Sequence, residues 1–167
     1  QTNVDPVADG LDPWWTLAVG NWQDEECTVE VDLSKCRLPK SVQELAVFEF
    51  HDQKFYGVRE RNERLSISIP AHGMRLLRLA AWDGKTAVLL GTDLHFSGGG
   101  VEIAECRISE ELISGWIATP WNEYPVTVWA AVPDGNGHPK VLSTTVAPGK
   151  RQFEMSFPVY SQTVCNG

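Results

Sequence analysis

Residues 89–103 read LLGTDLHFSGGGVEI, with Asp93 two places before His95 and a run of three glycines close behind. If the strand continued through this stretch, Asp93 and His95 would point to the same side. An Asp–His hydrogen bond would then make His95 a candidate general acid or base. No G-x-S-x-G elbow or other nucleophile motif accompanies the pair. A phosphate-cradling loop would have to lead from the glycines into a helix N-terminus. Here Gly98, Gly99 and Gly100 lead into VEIAECRI, which alternates like a strand. The glycines are therefore expected to form a bulged hairpin connection that uses positive φ. Gly98 and Gly99 are expected as its framework residues, and Glu102, set between Val101 and Ile103, is expected on the exposed face of the following strand.

A second candidate lies in GWIATPWNEYP, where Trp116, Trp121 and Tyr124 flank a proline turn carrying Asn122 and Glu123. Indole faces stack on the C–H faces of sugars while amide and carboxyl groups take the hydroxyls, so Trp116, Trp121, Asn122 and Tyr124 form a candidate carbohydrate platform. The competing reading has these aromatics capping the end of a sandwich. Trp14, Trp22, Trp82 and Trp129 lie in or beside strand patterns and read as core. The acids are scattered, and sequence spacing in a β fold does not reveal the facing carboxylate pair that glycoside cleavage uses. His51, His72 and His138 sit in turn-like segments. No HExxH or clustered His/Cys/carboxylate set calls for a metal, and no cofactor motif is present. Of four cysteines, Cys27 and Cys36 are too far apart for a zinc knuckle, though a bridge between them is conceivable in an exported protein. Cys106 falls inside a strand pattern, as a small buried hydrophobe would.

The elements that must position these residues have a period of two. Val29, Val31 and Leu33 alternate with polar partners, as do Leu65, Ile67 and Ile69, then Val126, Val128, Ala130 and Val132, then Phe153, Met155 and Phe157. Such alternation predicts half-buried strands. Turn signals separate them at 38–41, 70–73, 82–85, 97–100, 133–137 and 147–150. SEELISGW at 109–116 reads equally as one capped helical turn or as a hairpin. The expectation is an all-β chain, an antiparallel β-sandwich of Greek-key or jelly-roll type, built either as one sandwich or as two small packed β modules. Residues 1–13 are expected to be an arm or linker, 14–160 the sandwich with a sub-boundary near 82–88, and 161–167 a tail.

The formal net charge of −8 argues against nucleic acid or an anionic membrane surface as partner. No apolar run reaches the roughly 20 residues that span a bilayer. A start on Gln1 without a basic, then apolar leader is what a mature or excised piece would show. An extracellular or periplasmic setting is slightly favoured.

Four stretches together, VGNWQDEECTVEVDLSK, ELAVFEFHDQKF, LSISIPAHGMRLLRL and AVLLGTDLHFSGGGVEI, resemble the C-terminal β region of glycoside hydrolases of the α-galactosidase (melibiase) type, families 36 and 27. Val19, Asn21 and Trp22, then Val47–Phe50, then Ile69, Pro70, His72, Gly73 and Leu76–Leu79, then Leu89–Thr92, His95, Gly98 and Gly99 carry the likeness. Ala71 stands where many relatives have a second proline. The resemblance covers roughly residues 15–105. It implies a non-catalytic accessory β domain that packs on a (β/α)8 barrel in the parent chain, with or without a contact to carbohydrate, and with His72 and His95 as turn framework. The catalytic aspartates of such enzymes sit on barrel strands, and a barrel alone needs about 200 residues or more. The other readings are a carbohydrate-binding or cell-surface interaction sandwich, and a small hydrolase using Asp93 and His95.

Overall fold

The computed structural model describes residues 1–158. The expected tail at 161–167, the last residues of the expected domain and Cys165 lie outside the described residues. Among the described residues thirteen strands and two short 3-10 turns make an all-β chain of packed antiparallel sheets.

Sequence alternation places the sheets. β1 (Thr2–Val4), β2 (Trp14–Gly20), β4 (Glu44–Glu49), β5 (Lys54–Glu60) and β7 (Met74–Trp82) form one sheet in the order β1-β2-β7-β4-β5. A two-stranded ladder of β3 (Cys27–Asp32) and β6 (Arg64–Ile69) covers one face of it. Val31, Leu65, Ile67 and Ile69 from the ladder meet Leu45, Val47, Leu77 and Leu79 from the larger sheet, and all are buried. Each such side chain taken from water contributes about 1.5–3 kcal/mol. The second half repeats the arrangement. β8 (Val88–Thr92), β11 (Val126–Pro133) and β12 (Pro139–Val146) face β9 (Ile103–Ile108), β10 (Leu112–Ile117) and β13 (Gln152–Ser156) across a core of Leu89, Ile103, Ile113, Val128, Phe153 and Met155.

The two packs meet back to back. Ala46 and Phe48 of β4 and Trp82 of β7 pack against Leu90 of β8 and Ala131 of β11. This explains why Ala131 is buried although it lies on the face of β11 opposite Val128 and Ala130, and why Trp129 is half-buried with its ring 5.6 Å from that of Phe48. Trp14 and Trp82 are buried as expected, but Trp22 is 87% exposed. It follows the end of β2 and precedes the bend at 23–25, so its strand-adjacent position does not make it core.

Residues 1–13 are held to the body at several points. β1 pairs with β2, Val7 N donates to Gly100 O at 3.0 Å, Cys106 N donates to Asp9 O at 3.2 Å, and Ala8 is buried. The 109–116 segment resolves as the β9–β10 hairpin, closed by Ser109 N donating to Leu112 O at 2.9 Å. Gly115 has no room for a helix-forming side chain, because a Cβ there would run into the Phe153 ring and Glu105 O. Cys27, Cys36 and Cys106 are free thiols, and burial pushes the Cys106 thiol up to about 11.

Candidate functional site

The glycine turn lies between β8 and β9, beside the seam where the packs meet. Its centre is Glu102, which is fully buried. This corrects the expectation of an exposed glutamate. β9 begins only at Ile103, so Glu102 belongs to the turn and the strand's alternation does not apply to it. Its carboxylate accepts hydrogen bonds from Thr92 Oγ1, from Gly99 N at 2.7 Å, and from Ser97 Oγ and Val101 N, each at 3.2 Å. A buried carboxylate is tolerable only when its lone pairs are matched in this way. The turn wraps around the acid, and the acid in turn orders the turn.

The glycines permit that wrapping. Gly98 and Gly99 adopt φ of 65° and 108°. A Cβ on Gly99 would also stand 2.8 Å from Leu89 Cδ2 and 3.2 Å from Ile103 Cδ1. Positive φ and close approach together exclude other residues.

Arg78 of β7 closes the turn from the other pack. Its guanidinium lies over the Trp14 ring, 3.5 Å from the centroid, and Nη1 donates to Gly98 O. Trp14 Nε1 donates to Ser97 O at 2.9 Å. Arg78 is 7% exposed, and burial drives its pKa down to about 9, against the opposing pull of Glu102. The two charges are not in direct contact, for among the described residues no carboxylate oxygen lies within 4.0 Å of Arg78.

Asp93 and His95 are not brought together as a pair. β8 ends at Thr92, so the two no longer share a strand face. Asp93 Oδ1 accepts from Thr127 N at 2.8 Å, tying the turn to β11. His95 Nδ1 instead lies 2.8 Å from Ser97 Oγ, and its ring packs on Phe96 (centroids 4.3 Å) and edge-on to Trp121 (5.3 Å). The resulting chain runs His95–Ser97–Glu102. In a nucleophile triad the imidazole stands between hydroxyl and carboxylate. Here the hydroxyl stands in the middle, buried, and also accepts from Gly100 N at 3.1 Å. That order suits a structural tie.

His72 occupies the 70–73 turn at φ 50°, its Nε2 2.9 Å from Asp24 Oδ1. Of the aromatic platform, Trp116 stands on β10, 43% exposed, with the Arg151 guanidinium 5.9 Å from its ring. Trp121 is half-buried against His95, Tyr124 is 56% exposed, and Asn122 Oδ1 is buried without a partner among the described residues. No ring contact joins Trp116, Trp121 and Tyr124 into one stacked surface. The sequence reading missed Arg78, Trp14, Ser97 and Glu102 as members of one network. The available signal was Glu102 itself, an acid flanked by apolar residues directly after a glycine run. Among the described residues no group of three or more His, Cys, Asp or Glu side chains could hold a metal, and no helix is long and apolar enough to cross a membrane.

No protein-family model matches the chain, and no curated protein matches it.

Proposed function

We propose that this chain is a non-catalytic β domain of a glycoside hydrolase of the α-galactosidase type, which packs on a catalytic barrel. One observation carries the reading: the polar groups of LLGTDLHFSGGGVEI, the stretch at the heart of the resemblance, are turned inward. Thr92, Asp93, Ser97 and Glu102 all hold the turn to itself or to β11, and Arg78 holds it to the other pack. A site for turning over substrate would need such groups free and facing a cleft. The turn's rim is apolar instead: Phe96 and Val101 are exposed, and Val7, also exposed, is hydrogen-bonded to the turn at Gly100. Such a rim is what a neighbouring domain would cover.

The test has two parts. The isolated chain is expected to leave aryl α-galactosides intact, and hydroxyl-radical labelling of Phe96 is expected to fall when the chain is joined to its barrel. Turnover that disappears in His95→Ala, or labelling that does not change, would sink the proposal.

The exposure of Trp116 and Tyr124 favours a second role in carbohydrate contact. A glycan array should then show binding that is lost in Trp116→Ala; an array without signal ends that role.

A further inference from the structure

A cavity of about 680 Å³ opens along the seam between the two packs and shares Arg78 with the turn described above. Leu11, Val42, Ala80, Trp82, Leu89 and Ile108 supply its apolar lining. Clefts at such seams, apolar with a few convergent polar groups, are where small ligands are most often held.

Arg78 is under-satisfied. A guanidinium offers five N–H donors in a fixed fork. Among the described residues only Nη1 finds an acceptor, Gly98 O, while Nε is buried with no partner. The nearest compensating charge, Glu102, spends its oxygens on four donors of its own turn. A buried cation short of acceptors favours an incoming anion. Burial already depresses its pKa to about 9, a sign of how poorly the charge is compensated.

Three carboxylates line the same cleft, and they restrict which anion can enter. Asp83 accepts from Lys85 N and Thr86 N at 2.8 and 2.7 Å and from Thr86 Oγ1 at 3.0 Å, so its charge is held in place. Asp12 and Glu44 are exposed to solvent. Together they repel a dianion about twice as strongly as a monoanion, because Coulomb energy scales with charge.

We propose that the cleft between the two packs binds a small monocarboxylate with an apolar body, its carboxylate on the Arg78 guanidinium. This site is independent of the accessory-domain reading, since it needs neither a barrel nor a sugar.

Phenylacetate, its neutral amide phenylacetamide, and inorganic phosphate are suitable probes, read by calorimetry and by the fluorescence of Trp14 beneath the guanidinium. Saturable binding of phenylacetate is expected, about tenfold or more tighter than the amide, which lacks the charge. Arg78→Lys should weaken it about tenfold, because an ammonium cannot reproduce the planar fork. Ser41→Trp, at an exposed position on the cleft lining, should abolish binding without changing the melting temperature. If Arg78→Lys fails to fold, Ser41→Trp decides alone. Equal affinity for acid and amide, tighter binding of phosphate, no saturation in the millimolar range, or binding unaffected by Ser41→Trp would each overturn the site.

Discussion

Two turns of this protein are each held by one buried glutamate, and they differ in what surrounds the acid. Glu49, at the end of β4, accepts from Asp52 N at 2.7 Å and Leu76 N at 3.2 Å, with His51 Nδ1 3.0 Å away. Its setting stays open to water: His51 is 39% exposed at the side chain, and the Arg75–Asp52 ion pair beside it is partly solvated. Glu102 is sealed between the packs, with a buried arginine as its nearest cation. Water can stand in for a lost partner at the first turn and not at the second. The same residue type therefore anchors a local hairpin in one place and a junction between two cores in the other.

The largest expected difference comes from deleting each carboxylate. Glu102→Ala should cost about 3–5 kcal/mol, since four donors lose their acceptor and Arg78 loses its main buried counter-charge. Glu49→Ala should cost about 1–3 kcal/mol, with solvent replacing part of what is lost. Urea unfolding of both variants measures the gap, and equal costs would break the comparison.

Backbone strain gives a second, smaller contrast. Gln53 adopts φ of 52° in the open turn, where its exposed side chain has room, while Gly99 is enclosed. Gly99→Ala should lose about 1–3 kcal/mol. Gln53→Gly should change stability by less than about 1 kcal/mol, because relief of strain is offset by a more flexible unfolded chain. Thermal melts of the pair test this.

The smallest effect concerns pH. Burial alone would raise the Glu49 carboxyl, but hydrogen bonds from Asp52, His51 and Leu76 outweigh it and hold the group below its ordinary value of 4.5. A folded-state value below the unfolded one stabilises the protein above pH 4.5, and that stability drains away as acid protonates the folded carboxylate. Glu49→Gln should make the acid limb of the stability profile shallower, and an unchanged limb would count against the network.

Much of the architecture was legible because burial on a strand has a fixed period. Leu65, Ile67 and Ile69 are all buried while Ser66 and Ser68 are exposed, as alternation requires. The 109–116 hairpin was legible only as one of two options, because Ser109 and the acids after it suit a cap while Gly115 suits a close approach. Trp22 and Glu102 were misread for a common reason: each sits just outside a strand, where the period no longer says which way a side chain points. The site was less legible than the fold. His95 and the glycines were picked out, but their partners Arg78 and Trp14 come from β7 and β2, far away in sequence.

Side-chain alternation and turn chemistry, both local properties of the chain, were enough to determine that the protein is all-β and where its strands break. Only the tertiary structure decided that the second face of β11 would be buried, that Glu102 would point inward, and that Arg78 would line a cleft with a guanidinium short of acceptors. These outcomes depend on how two separately cored packs meet, and the free energy of that meeting comes from surfaces that no local period encodes.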